Sequence, residues 1–186
     1  MRTFAMCVVA ACLLACFSPR PAFGANPSGR IEVRFVYLDP GSIDPTYHTA
    51  MWLEDAKGNM VQTLFVSNDL STTYYQSGKV CPDWVKQAGW AKAPKSLINA
   101  VTGPTPNVSA GMMPFDLEKF KVAPGKYKFR FEVNIDDQNN VLFQGDLEVG
   151  DSEQELKMET LYLPSKPDIG TDVVKDVAVH YYPAKN

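Results

Sequence analysis

The chain has 186 residues, of which 45% are apolar, and its 18 basic and 21 acidic residues give a net charge of −3. This composition supports a packed core and excludes wholesale disorder, and the length suits a single domain. The acidic balance argues against a general nucleic-acid binder, because such proteins carry a basic surplus.

The first residues have the pattern of an export signal. Arg2 precedes an apolar run of 14 residues, 4–17. This run is shorter than the about 20 residues that span a bilayer, and it fits a secretory signal peptide. Ala22 and Gly24 are small residues at the positions that signal peptidase reads. We predict a signal peptide at residues 1–24 and one domain at residues 25–186, in which 16 basic and 21 acidic residues give −5.

The leader also contains a second candidate cleavage site. Leu13-Leu14-Ala15-Cys16 resembles the lipobox of bacterial lipoproteins. In that reading the leader ends at residue 15, Cys16 becomes the lipid-modified first residue, and residues 17–29 form a tether. The sequence leaves open a soluble periplasmic protein and a membrane-anchored lipoprotein.

Apolar and polar side chains alternate through most of the remaining chain, as in half-buried antiparallel strands. At residues 126–135, Phe129 and Phe131 face one way and Arg130 and Glu132 the other. Further strands are predicted at residues 31–38, 47–54, 60–66, 141–149, 155–163 and 173–182, with a hairpin at 55–59 and a bulge at Gly145. The predicted fold class is all-β, an Ig-like antiparallel β-sandwich.

The middle of the chain has a different pattern. Pro82 and Gly89 fit the first turn and the end of one short helix. Residues 93–114 are rich in Pro, Gly, Ser, Thr and Asn, which predicts a long inter-strand connection with a brief strand at 97–101. Connections of this length are often functional.

Three segments, taken in order, resemble a bacterial family of predicted periplasmic proteins, domain of unknown function 2271. They are Met51–Asp55 with Gly58 and Val61–Leu64, then Ala100–Thr105, then Val122–Tyr127. The last segment also resembles the strand entry of the Ig-like domain in flagellar hook-cap proteins. The resemblance implies an exported Ig-like sandwich, and its gene neighbours imply an association with flavin-attachment and membrane reductase systems. It brings no catalytic residues.

Cys81, Trp84 and Trp90 form the most unusual cluster, and Cys81 is the one cysteine outside the leader region. A cysteine just before a helix can have a depressed pKa, which would make a redox-active or metal-binding thiol. The alternative is a small buried residue under a tryptophan-rich cap. Trp52 has two readings as well, an exposed stacking platform for a sugar or protein partner and a surface aromatic without a function on the wet face of a strand whose other face is core.

Other chemistry finds little support in the sequence. No nucleophile or metalloprotease motif is present, so we predict no catalytic residues and no enzyme activity. His48, His180, Cys81 and Met112-Met113 match no copper signature, and the turn aspartates match no calcium loop. We therefore predict no metal site and no cofactor.

The predicted function is that of a non-catalytic binding or accessory module of the cell envelope. Its strands would form a rigid frame, and the Cys81–Pro114 region would present the contact surface to an envelope protein partner. The alternative is a redox- or metal-linked accessory protein that acts with a flavin or membrane reductase system through Cys81. Sugar binding is a third option, by analogy with other sandwiches.

Overall fold

A computed structural model describes residues 29–136 and 138–185. The predicted signal peptide, both cleavage sites and Cys16 lie outside the described residues. The strands are β1 (Arg30–Tyr37), β2 (Thr49–Glu54), β3 (Met60–Ser67), β4 (Thr102–Gly103), β5 (Ser109–Asp116), β6 (Gly125–Asn134), β7 (Asn140–Val149), β8 (Gln154–Glu155), β9 (Glu159–Leu163) and β10 (Val174–Tyr182). The helices are α1 (Asn68–Thr72), α2 (Pro82–Ala88) and α3 (Lys95–Val101).

The strands form two sheets, which confirms the predicted all-β sandwich. The four-stranded sheet has the order β5-β1-β10-β8, and the six-stranded sheet has the order β4-β3-β2-β6-β7-β9. Neighbouring strands run antiparallel except for β3 and β4, which pair in parallel. No helix in the described part of the chain is long and apolar enough to cross a membrane.

The main core lies between the two sheets and follows the predicted alternation. Alternate residues of β1 and β6 are buried and contribute to one hydrophobic cluster. Phe35 and Phe131 meet across the sandwich with ring centroids 5.4 Å apart. Burial of these apolar faces is the dominant stabilising term of such a fold.

A second core lies on the outer face of the six-stranded sheet. All six residues of β2 are buried, because residues 68–101, which we call the helical layer, fold over this face. Leu70 and Val101 of the layer pack with Ala50 and Trp52 of β2. The outer face of β2, which the sequence pattern assigned to solvent, is therefore covered by the helical layer.

The helical layer contains more helix than the sequence predicts. Helix α2 is confirmed, with Pro82 in its first turn and Gly89 in a left-handed conformation after its last residue. The strand predicted at residues 97–101 is wrong, because these residues belong to α3. Leu97 and Val101 are four residues apart, and both pack against the second core. This apolar contact explains the helix.

The strand predicted at residues 155–163 is two strands in different sheets. The chain leaves the four-stranded sheet after β8 and enters the six-stranded sheet at β9. The crossing segment passes over Gly145, where an added Cβ would lie 2.8 Å from the Met158 sulfur and 3.2 Å from the Lys157 carbonyl oxygen. The predicted bulge at Gly145 is wrong, since the β6–β7 register is unbroken. Close approach of the crossing segment requires the glycine instead.

Candidate functional site

The four residues singled out in the sequence come together in the second core. Trp52, Cys81 and Trp84 are fully buried, and Trp90 is 4% exposed. The rings of Trp84 and Trp90 lie 5.0 Å apart at a tilt of 56°. The four side chains do lie in one cluster, and the cluster is buried between the helical layer and the sheet.

The indole N–H of each tryptophan donates a hydrogen bond within the protein. Trp84 Nε1 donates to Thr63 Oγ1 at 3.2 Å, and Trp90 Nε1 donates to the Ser71 carbonyl oxygen at 2.8 Å. Trp52 Nε1 donates to Glu54 Oε1 at 2.9 Å. A buried indole needs such a partner. The prediction of an exposed stacking platform at Trp52 is therefore wrong, because the helical layer covers its face of the sheet.

Cys81 connects α2 to the sheet and has a left-handed backbone, with φ of 45°. Its N–H donates to Asn140 Oδ1 at 2.9 Å, and its thiol donates to the His48 carbonyl oxygen at 3.4 Å. Burial raises the pKa of the Cys81 thiol well above its usual value, and the charge of Glu132 raises it further. The predicted depression of this pKa is wrong, because desolvation disfavours the thiolate more than the short helix favours it.

Glu132 is a buried acid that sequence reasoning placed on the solvent side of β6. Its Oε2 accepts the Trp84 backbone N–H at 3.0 Å, and its Oε1 accepts the Asp83 backbone N–H at 3.4 Å. The side chain thus caps the first turn of α2, where Cys81 makes no side-chain cap. Burial raises the pKa of Glu132 to about 8.

A second buried acid holds the other end of α2. Glu54 is 2% exposed, and its Oε2 accepts from Arg130 Nε at 3.0 Å. Gln87 of α2 donates to Glu54 Oε1 at 2.7 Å, and Arg130 Nη1 donates to Gln144 Oε1 at 2.6 Å. Helix α2 is therefore fixed at both ends by hydrogen bonds to acids of the sheet.

An open groove of about 550 Å³ is lined by Glu54 and Arg130 at the end of β2, β6 and β7. Its rim carries charges of both signs, including Lys126, Lys128, Asp146 and Glu148. Lys128 already pairs with Asp146 at 2.7 Å. The groove therefore does not select a ligand of one charge.

The helical layer carries four exposed lysines against two aspartates. Lys79, Lys86, Lys92 and Lys95 are all exposed, and none forms an ion pair with a described residue. We call these four residues the lysine face. Residues 68–101 hold four lysines and two aspartates, a net +2, whereas the rest of residues 25–186 hold 12 basic and 19 acidic residues, a net −7. No pattern within a single element predicts this asymmetry, since the lysines lie in separate turns and helices.

Of the residues considered for copper, the Cys81 thiol contacts the backbone carbonyl of His48, and the two histidines lie apart. His48 lies beside Tyr74 at the helical layer, with ring centroids 4.4 Å apart. His180 lies on β10 of the other sheet and contacts Glu153 at 2.6 Å. Across residues 29–136 and 138–185, no three His, Cys, Asp or Glu side chains are grouped to hold a metal ion.

These features define a β-sandwich protein with a helical layer anchored over one sheet. The chain belongs to the family described as predicted periplasmic protein (DUF2271), whose profile matches residues 30–162. This confirms the resemblance seen in the sequence, and the family description supports a periplasmic location. The matched residues include the whole helical layer. No curated protein and no solved structure matches the chain.

Proposed function

We propose that the protein is a non-catalytic binding or accessory module of the bacterial cell envelope. We assign the binding surface to the lysine face of the helical layer, three of whose four lysines lie in the Cys81–Pro114 region that the sequence favours for contact. The partner we propose is an envelope protein with an acidic surface. Basic patches attract such partners and orient them on encounter.

The observation that carries this proposal is the lysine face itself. A set of unpaired cations on an otherwise acidic protein is not needed to balance neighbouring charges. The layer that presents it is held to the sheet at both ends of α2 by Glu132 and Glu54. Binding residues are typically displayed in this way, on a connection positioned by a rigid frame.

The reactive side chains of the second core support a non-catalytic role. Cys81 is buried with a raised pKa, Glu132 caps α2, and Glu54 pairs with Arg130. Each of these groups has a structural task. The alternative function through a reactive Cys81 needs an accessible thiolate, and the geometry offers the opposite.

The test uses Lys86→Glu/Lys92→Glu, with Lys57→Glu/Lys157→Glu as a control of equal charge change at exposed sites outside the layer. Each tagged protein is recovered from native envelopes, and its co-purifying proteins are quantified by mass spectrometry. We expect at least one protein to be retained by the wild type and the control and lost from the layer variant. Equal recovery by all three proteins would overturn the assignment. Turnover of a substrate that depends on a named side chain would overturn the non-catalytic role.

A further inference from the structure

Strand β5 is an edge with unpaired backbone groups. In the described chain it pairs only with β1, and the register is unbroken from Arg30↔Asp116 to Tyr37↔Ser109. The Leu117 N–H donates to the Gly29 carbonyl oxygen at 3.0 Å, which fixes the orientation of the alternating groups. The backbone groups of Gly111 therefore face β1, and those of Ala110 and Met112 face the open edge.

The solvent side of this strand is apolar. Ala110, Met112 and Pro114 alternate on its outward face and are all exposed, with Met112 at 57%. Val108, just before the strand, is 53% exposed. No charged residue occurs in the 20 residues 96–115, although 21% of the whole chain is charged. An edge strand normally carries charges that prevent strand pairing.

The other sheet edges do have such protection. Strands β4 and β8 are two residues long, and β9 starts at Glu159, two residues after Lys157. In β5 the charged residue Asp116 lies at the end of the strand, and within the strand the protecting residue is Pro114. Its missing N–H would face the open edge, which is where proline is tolerated in a strand. Among the four described edge strands, β5 has the longest uncharged stretch, residues 109–115.

We propose that β5 pairs antiparallel with β5 of a second copy of this chain, about a two-fold axis at Gly111. This register places Ala110 opposite Met112 of the second copy, so that a small side chain meets a large one. Pro114 falls opposite Val108, beyond the end of the partner strand, so its missing N–H interrupts no bond within the paired strands. A pairing centred on Met112 would instead place Pro114 opposite Ala110 and lose a bond on each side.

Self-pairing explains the absence of charge. Near a two-fold axis every residue lies close to its own copy, so a charged side chain there would meet a like charge. At the axis itself lies Gly111, which packing against the core within the chain requires, since an added Cβ would lie 2.5 Å from the Phe35 ring. The four-stranded sheets of the two copies would join into one sheet of eight strands.

The oligomeric state of the mature protein tests this inference by sedimentation velocity over a range of concentrations. We expect a wild-type dimer, a monomeric Met112→Lys variant, and a dimeric Leu161→Lys control, since Leu161 is 42% exposed on the other long edge strand. A wild-type protein that stays monomeric overturns the inference, as does a dimer that survives Met112→Lys. An edge that receives a strand of another protein would also leave the pure protein monomeric.

A cross-linking experiment tests the register. An equal mixture of Ala110→Cys and Met112→Cys proteins is mildly oxidised to form disulfides, which need Cα atoms within about 7 Å, while the buried Cys81 stays unreactive. We expect the mixture to cross-link more than either variant alone, and equal yields would overturn the two-fold register at Gly111. The proposed dimer interface contains none of the lysines of the lysine face. The Lys86→Glu/Lys92→Glu variant should therefore still form the dimer. The two proposals can therefore fail separately.

Discussion

The two cores of the molecule are built in different ways. The main core between the sheets is formed by apolar side chains that alternate along strands such as β1 and β6. The second core combines apolar side chains with buried acids and amides at its border, including Glu54, Glu132 and Asn140. Apolar packing is largely non-directional, whereas hydrogen bonds to buried carboxylates fix a position. The main core therefore sets the fold, and the second core sets where the helical layer lies.

The largest expected effect tests the buried acid of the second core. Because the pKa of Glu132 is raised from 4.5 to about 8 by burial, the unfolded chain ionises before the folded protein does. The free energy of unfolding should then fall as the pH rises from about 4.5 to about 8, by up to about 5 kcal/mol. Glu132→Gln should remove this decline, measured by urea unfolding at several pH values.

His48 acts in the opposite direction. Its pKa is lowered chiefly by burial, so its contribution to stability grows as the pH rises towards 6.5.

The contribution of Glu132 to the pH dependence is the difference between the unfolding free energies of the wild type and Glu132→Gln. Glu148→Gln is the control, because Glu148 is exposed. A wild type and a Glu132→Gln variant with the same pH dependence would show that Glu132 is ionised in the folded protein.

The next effect tests the main core. Phe131→Ala removes a fully buried ring that packs against Phe35 and Phe143. We expect a loss of about 3–5 kcal/mol of stability in one cooperative urea transition, as for other buried aromatic truncations.

Trp84→Ala is the matched truncation in the second core. It removes a ring that packs on Trp90 and donates to Thr63. We expect limited proteolysis within residues 68–101 under conditions where the strand signal in circular dichroism persists. Equal protease resistance of Trp84→Ala and Phe131→Ala would mean that the two cores form one cooperative unit.

The local sequence pattern predicted the main core, but it did not predict that the helical layer covers β2. The period of two was visible at residues 126–135, and Pro82 and Gly89 marked the ends of α2 correctly. Glu132 occupies a polar position of that same period, so it was assigned to a solvent face. Its burial depends on the helical layer, which joins the sheet through contacts distant in sequence. The sequence did allow a buried Cys81 under a tryptophan-rich cap as one of two readings, but it could not choose between them, because the sheet that this cap covers is distant in sequence.

A smaller effect concerns access to the second core. Cys81 is fully buried, so its thiol should resist alkylation in the native protein and react after denaturation. Met112→Cys supplies a comparison, because Met112 is 57% exposed. Mass spectrometry should find a single label at residue 112 of the native variant. Rapid native labelling of Cys81 would show that the helical layer opens and would restore the redox alternative.

The smallest effect lies on the uncovered face of the four-stranded sheet. His180 contacts Glu153 at 2.6 Å, and its ring stacks on Tyr182 with centroids 4.4 Å apart. Both contacts are partly exposed, so His180→Ala should cost about 1 kcal/mol or less. Glu153→Gln separates the contact with Glu153 from the stacking on Tyr182. A loss comparable to that of Phe131→Ala would contradict the view that this face contributes little to stability.

The order of the strands affects how the protein folds after export. Every strand of the four-stranded sheet is connected along the chain only to strands of the six-stranded sheet. The β2–β3 and β6–β7 hairpins can close locally, whereas β1 must await β5 and then β10, with Arg30 finally opposite Tyr182. Contacts so distant in sequence close slowly. A chain that emerges with its amino terminus first therefore carries β1 unpaired until β5 arrives and paired on one side until β10 arrives, and this interval is when it is most exposed to misassembly.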